Sequence, residues 1–115
     1  MVLADTNIFI DFFRKRAESA ELTKLLENGE VLLHPFVEAE LHLSRIPAEV
    51  KALLTYLPRA HVIDHQLLLD FIEKYGETIR NVSYVDLHIY LSAAYEGARL
   101  MTRDASLSEL SRTLQ

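Results

Sequence analysis

The chain contains no cysteine. Disulfide staples and thiolate metal sites are thereby excluded, and a reducing compartment, the cytoplasm, is the default expectation. Long hydrophobic runs are missing as well, and the start lacks a basic flank followed by a signal-like apolar stretch, so neither a membrane span nor a signal peptide is expected. Nor is there a basic surplus: 12 Lys and Arg stand against 17 Asp and Glu, a formal net charge of -5. A broad cationic face of the kind that captures nucleic acid is therefore not foreseen. That exclusion weakens if carboxylates hold divalent cations, because two such ions would bring -5 to about -1. Repeats, low-complexity tracts and linker-like stretches are absent too. The 115 residues, half of them hydrophobic, are expected to form one domain, residues 1–115, with a core that needs no staples.

What is present is an alternation of short apolar runs with helix-period segments. Residues 2–4 read as a first buried strand, and 7–14 as a helix opened by Thr6 or Asn7. A second helix is expected from about 17 to 27, stopped by Asn28 and Gly29, before a strand at 31–33. Pro35 and Pro47 suit the first turns of two further helices, and Pro58 ends the second of them. A short strand is expected at 61–63, an amphipathic helix at 65–79 and another at 83–97, closed by Gly97. A strand at 99–102 and a last short helix complete the pattern. Strands alternating with helices indicate an α/β fold around a parallel sheet, with sites beyond the carboxyl ends of the strands.

Two acids occupy that edge. Asp5 directly follows the first strand and Asp104 the last, in "LMTRDAS". Two more candidates lie on helices: Asp86 in the first turn of "SYVDLHIYL", and Glu38 or Glu40 in "PFVEAELHL". Helical spacing puts Glu40 with Phe36, Val37 and Leu43, and Glu38 with His42 and Arg45 on a polar stripe, so Glu40 is expected to face inward. Each acid also has a structural explanation. Asp5 suits an Asx turn or a helix cap, Ser83 and Asp86 form a capping box, and Glu40 could pair with an arginine. Ser106 and Glu109 give the last helix a box of its own, so Asp104 is not needed as its cap.

The combination carries more than its members. "VLADTNIFID", "EAEL", "VDLHIYLSAA" and "ARLMTRDASL" resemble, in order and context, the motifs of PIN-domain ribonucleases, in particular VapC-type toxins. The resemblance implies a three-layer α/β/α sandwich with about four strands and a quartet of acids, Asp5, Glu40, Asp86 and Asp104, as catalytic metal ligands, with Asn7 and Thr102 in support. It implies a toxin acting on RNA, a homodimer, and an antitoxin partner covering the acids. Two departures from the family pattern stand out. Tyr90 occupies a position where small residues are more usual and is expected to narrow the crevice, and the family's C-terminal fifth strand is not read after the last helix, so one sheet edge is expected to be open or completed by a partner.

Oxygen-only ligands select a hard cation, Mg²⁺ or Mn²⁺, over zinc. One or two such ions suit in-line phosphodiester hydrolysis, which needs no serine or cysteine nucleophile. Arg14, Lys15, Arg16, Arg45, Arg80 and Arg103 are the candidate phosphate contacts, with a solvated helix end as the plainer account of "RKR". The five histidines show no zinc spacing and read as surface or core residues. A haloacid-dehalogenase-type phosphatase would need Asp where Asn7 stands, and a phospho-receiver would need a lysine where "TRD" stands. A PIN-like RNA- or protein-binding module with little catalysis, or a housekeeping RNA-processing nuclease, are the alternatives.

Overall fold

The computed structural model describes residues 1–14 and 20–114. Its sheet consists of β1 (Val2–Ala4), β2 (Val31–Leu32) and β3 (Arg99–Met101), all parallel, in the order β2-β1-β3. Val2 stands between Val31 and Arg99, and Leu3 between Leu32 and Leu100. β1 is central and buried at every residue. A strand covered on both faces has no solvent side to mark, which is why it reads as a continuous apolar run.

Among the described residues seven helices surround the sheet: α1 (Thr6–Phe13), α2 (Ala20–Glu27), α3 (Pro35–Leu43), α4 (Ala48–Thr55), α5 (His65–Tyr75), α6 (Tyr84–Glu96) and α7 (Ala105–Thr113). α1 packs on α2 and α3, while α6 packs on α5, α7 and β3. The arrangement is the expected mixed α/β fold, compatible with a three-layer α/β/α sandwich. Leu3, Phe9, Leu22, Leu41, Ile89 and Leu107 lie at its centre, each 1% exposed or less. No helix among the described residues is long and apolar enough to cross a membrane.

The chain moves from β1 to β2 on one side, then through four helices to β3 on the other side of β1. That reversal opens a crevice beyond the carboxyl end of β1, the place where open α/β sheets bind ligands.

Three expectations are corrected. The strand at 61–63 does not form; the chain instead meets the end of β2 slightly earlier, where Leu33 N–H donates to Pro58 at 2.9 Å and Ala60 N–H donates to Leu33 at 3.1 Å. Pairing is decided by which backbone groups lie opposite the neighbouring strand, and His61 is already turned to α6, its N–H on Glu96 and its carbonyl accepting from Ser92. The fifth helix stops at Tyr75, four residues short of the expected 79, and turns follow. Tyr90 does not narrow the crevice: it is 8% exposed and packs its ring against Phe71. The expected start of the second helix, 17–19, lies outside the described residues, whose helix begins at Ala20.

Helix ends follow two solutions. α2 and α6 are each followed by a glycine in the left-handed region, Gly29 (φ 67°) and Gly97 (φ 65°). At Gly97 the closing bonds are Gly97 N–H to Ala94 and Ala98 N–H to Ala93, a Schellman arrangement. α3 ends the same way but with Arg45, φ 57°, the one non-glycine left-handed residue among those described. For a residue with a Cβ this conformation costs about 1–2 kcal/mol. A cation at a helix C-terminus regains only about 0.3–1 kcal/mol, so arginine is the less stable choice here.

Candidate active site

Four helices deliver the four acids. Asp5 is the N-cap of α1, extended at φ -73°, ψ 165°, directly after β1. Its Oδ1 accepts from Thr6 N–H at 2.7 Å and its Oδ2 from the Thr102 hydroxyl at 2.9 Å. Thr102 in turn accepts from the Asp104 N–H at 3.1 Å, so one hydroxyl ties the acid after β1 to the acid after β3. Asp5 is 7% exposed, and these two donors satisfy its carboxyl there.

Asp104 corrects the sequence reading of the last helix. It is the N-cap of α7, its Oδ1 accepting from Leu107 N–H at 2.9 Å, and the expected Ser106–Glu109 box is not what opens the helix. Leu107 and Leu110 must face the core, and starting the helix immediately after the strand turn lets Asp104 satisfy an orphan N–H of that first turn.

Glu40 is corrected in its surroundings. The buried stripe of α3 is Val37 and Leu41, whereas Glu40 and Leu43 are exposed. At about 100° per residue Glu38 and Glu40 flank that stripe on opposite sides, so inwardness does not separate them. What they meet does. Glu38 is bonded by Arg59 at 2.7 Å, while Glu40 Oε1 accepts from the Thr6 hydroxyl at 2.8 Å, beside Asp5. Thr6 is the contact that sequence reasoning missed; its only signal was a hydroxyl adjacent to the first acid. Asn7, the residue chosen instead, is exposed.

Asp86 lies in the first turn of α6, where Ser83 caps the helix by accepting the Asp86 N–H at 3.1 Å. Its carboxyl is pushed above the ordinary aspartate value, first by burial, then by the charges of Asp5 and Asp104, with Glu40 adding to the rise; a hydrogen bond from Ser83 opposes it. The side chains from four helices therefore share one electrostatic neighbourhood. Helix starts explain Asp5, Asp86 and Asp104 one by one, but they do not explain why two caps, a first-turn acid and Glu40 share one neighbourhood. Among the described residues no Lys or Arg is paired with any of the four, and no three acids or histidines are drawn into a ready-made metal cage.

The basic candidates divide. Arg103 is held by Asp11 and Arg80 by Glu77, so neither is poised for phosphate. Arg14 and Arg45 are exposed and have no acid partner among the described residues; Lys15 and Arg16 lie outside them. Two histidines are core residues. His34 Nδ1 accepts from Phe36 N–H at 2.9 Å, its Nε2–H donates to Ser92 at 3.0 Å, and burial with nearby His88 lowers its pKa to about 4. His88 is 2% exposed, lies edge-on to Phe36 and Tyr84, and among the described residues neither ring nitrogen has a hydrogen-bond partner.

No curated protein matches the chain at a significant level. A family model does: the PIN domain model aligns with residues 2–112, from the first strand to the last helix and across all four acids. A parallel sheet with acids gathered at the carboxyl end of its central strand, on a chain that this model spans almost completely, places the protein in the PIN domain family, whose members are generally nucleases.

Proposed function

We propose that this PIN domain is a divalent-cation-dependent endoribonuclease, and that it serves as the VapC-like toxin of a toxin-antitoxin pair in the cytoplasm. The observation that carries the catalytic reading is the placement of the four acids, Asp5 and Asp104 capping the helices after β1 and β3, Asp86 in the first turn of α6 and Glu40 held by Thr6 beside Asp5, with the Asp86 carboxyl raised by burial and by the charges of the other three. Unneutralised acids so placed oppose folding, and a structure keeps them together where a cation is to be held.

The donor set fits such an ion. Asp5, Glu40, Asp86 and Asp104 offer only oxygen, the choice of Mg²⁺ or Mn²⁺. Bound there, the cation would supply Lewis acidity, making a nucleophile of water at neutral pH and stabilising the leaving oxygen. The chain's own part is to hold the carboxylates in position. Thr102 fixes Asp5 against the start of α7, and Thr6 fixes Glu40 against the start of α1. Helix N-termini at Asp5 and Asp104 add partial positive charge where the phosphodiester would lie.

The toxin role follows from the motif resemblance. Self-association is supported by α5, which leaves Leu67, Leu69 and Ile72 at 56%, 40% and 36% exposure; a dimeric mass by light scattering is expected, and a monomer would remove that part. The catalytic test is cleavage of a total-RNA pool with Mn²⁺ and with EDTA. Wild type should cut only with metal, and Asp5→Asn and Asp104→Asn should not cut. Undiminished cleavage in EDTA sinks the reading. Growth arrest on expression, relieved by a small antitoxin encoded upstream, tests the toxin role separately.

A further inference from the structure

We propose that the groove between the end of α1 and the turn joining α3 to α4 is a subsite for single-stranded RNA, with Arg14 and Arg45 holding phosphates and Phe13, Ile46 and Pro47 facing a base. The inference deepens the nuclease reading and rests on it for the choice of substrate. The groove is open to solvent and its lining includes Ile10, Phe13, Arg14, Arg45, Ile46 and Pro47. An apolar, partly aromatic floor with cations at its corners is the composition that takes up bases and tracks a sugar-phosphate backbone.

Its position ties it to the acids. α1 begins at Asp5 and is closed by Arg14, while α3 carries Glu40 and is followed by Arg45. The groove thus lies further along α1 and just past the end of α3, the two helices that meet through Thr6 and Glu40. From Asp5 to Arg14 is on the order of 13 Å at 1.5 Å per helical residue. That spans roughly three or four phosphates at the ~3.4 Å axial spacing of a stacked strand. An RNA cut at the acids must continue somewhere, and this groove lies along its way.

Charge sets the occupant. Arg59, Arg80, Arg99, Arg103 and Arg112 each contact an acid, whereas Arg14 and Arg45 have none among the described residues. The C-terminal ends of α1 and α3 bring about half a negative charge each, which two full guanidinium charges exceed. Arg45 adds an independent sign. The chain closes α2 and α6 with Gly29 and Gly97 in the same left-handed conformation, and only α3 with a strained arginine. Were ending the helix the whole task, glycine would do it better; strain of this kind collects at binding and catalytic positions.

The test is fluorescence anisotropy of a labelled single-stranded RNA of mixed sequence, titrated with the full chain in EDTA across a salt series. Wild type should bind. Arg14→Gln and Arg45→Gly should each weaken binding about tenfold. The double variant should flatten the slope of log K against log salt by about 1.4, at ~0.7 per single-strand phosphate contact. Arg45→Gly should keep or raise Tm, so that lost affinity is not lost fold. No binding by wild type, or unchanged affinity and slope in the double variant, overturns the subsite. Unchanged RNA affinity alongside lost binding of a poly-glutamate peptide overturns it in favour of a protein partner. Cleavage with Mn²⁺, run in parallel, separates the two readings: a wild type that binds through Arg14 and Arg45 but never cuts removes the nuclease and leaves the subsite.

Discussion

The hydroxyl of Thr6 reaches Glu40 at 2.8 Å, joining the first residue of α1 to the exposed flank of α3. A lone exposed glutamate is free to sample many rotamers; this one is held beside Asp5. Thr6→Val, which keeps the shape and removes the donor, should lower Mn²⁺-dependent cleavage about 10–100-fold, the usual effect of losing a partner of a metal-binding side chain. Thr6→Ser should restore most of it. Equal activity in Thr6→Val and wild type would show that Glu40 needs no such support.

The two glutamates of α3 should part in opposite readouts. Glu40→Gln should abolish most metal-dependent cleavage with little change in melting. Glu38→Gln removes the partner of Arg59, a partly exposed pair, and should cost at most about 1 kcal/mol while leaving cleavage intact. Cleavage lost in Glu38→Gln alone would reverse the assignment.

The order of strands and helices was legible because each strand is a short apolar run and each helix carries an apolar stripe or a stop such as Asn28–Gly29. The acids at strand ends were legible for the same reason: Asp5 and Asp104 mark where β1 and β3 stop. What escaped were relations set in three dimensions. Residues 61–63 look like a strand, yet pairing was already taken by Pro58 and Ala60 on Leu33. Glu40 was chosen for an inward face it does not have, since both glutamates flank the same stripe and only their neighbours tell them apart. Arg103 was read as a phosphate contact because the sequence does not show that Asp11, six residues into α1, would hold it.

That pair is itself a test. Asp11 is buried at 9% exposure and Arg103 is its ion partner. Arg103→Ala removes this ion partner and should cost up to about 1 kcal/mol, because Arg103 is itself half exposed. Adding Asp11→Asn should return part of that loss. A double variant less stable than Arg103→Ala, by chemical denaturation, would refute the pairing.

His34 predicts an acid-labile fold. Its pKa is lowered from 6.5 to about 4 by burial and by His88, and its Nδ1 accepts from Phe36 N–H. The unfolded chain binds this proton first, so the stabilisation is complete above pH 6.5 and is lost as pH falls towards about 4. The loss is roughly 3 kcal/mol at about 1.4 kcal/mol per unit, and His88, also lowered, acts in the same direction. An NMR titration placing His34 near 6.5 would remove the effect.

Asp86 decides between a metal centre and a set of helix caps. As a cap its contribution is small: Ser83 already accepts its N–H, and a carboxylate in the first turn of a helix is worth about 0.3–1 kcal/mol. As a member of a cluster it is a liability without metal, since burial and then the charges of Asp5, Asp104 and Glu40 raise its carboxyl. A raised value means that the folded state favours the neutral form, so removing the charge should relieve it. Asp86→Asn is therefore expected to leave the metal-free protein unchanged or more stable by roughly 0.5–2 kcal/mol, the gain typical where function has been kept at the expense of stability. Mn²⁺ should then raise the Tm of wild type by binding the native state, and that of the variant far less. Thermal melts of both proteins in EDTA and in Mn²⁺ separate the cases by the Mn²⁺ shift, because burial alone also favours a neutral side chain at position 86 in the metal-free protein. A loss of stability in metal-free Asp86→Asn, with no Mn²⁺ shift in wild type, would return Asp86 to its helix and dissolve the quartet.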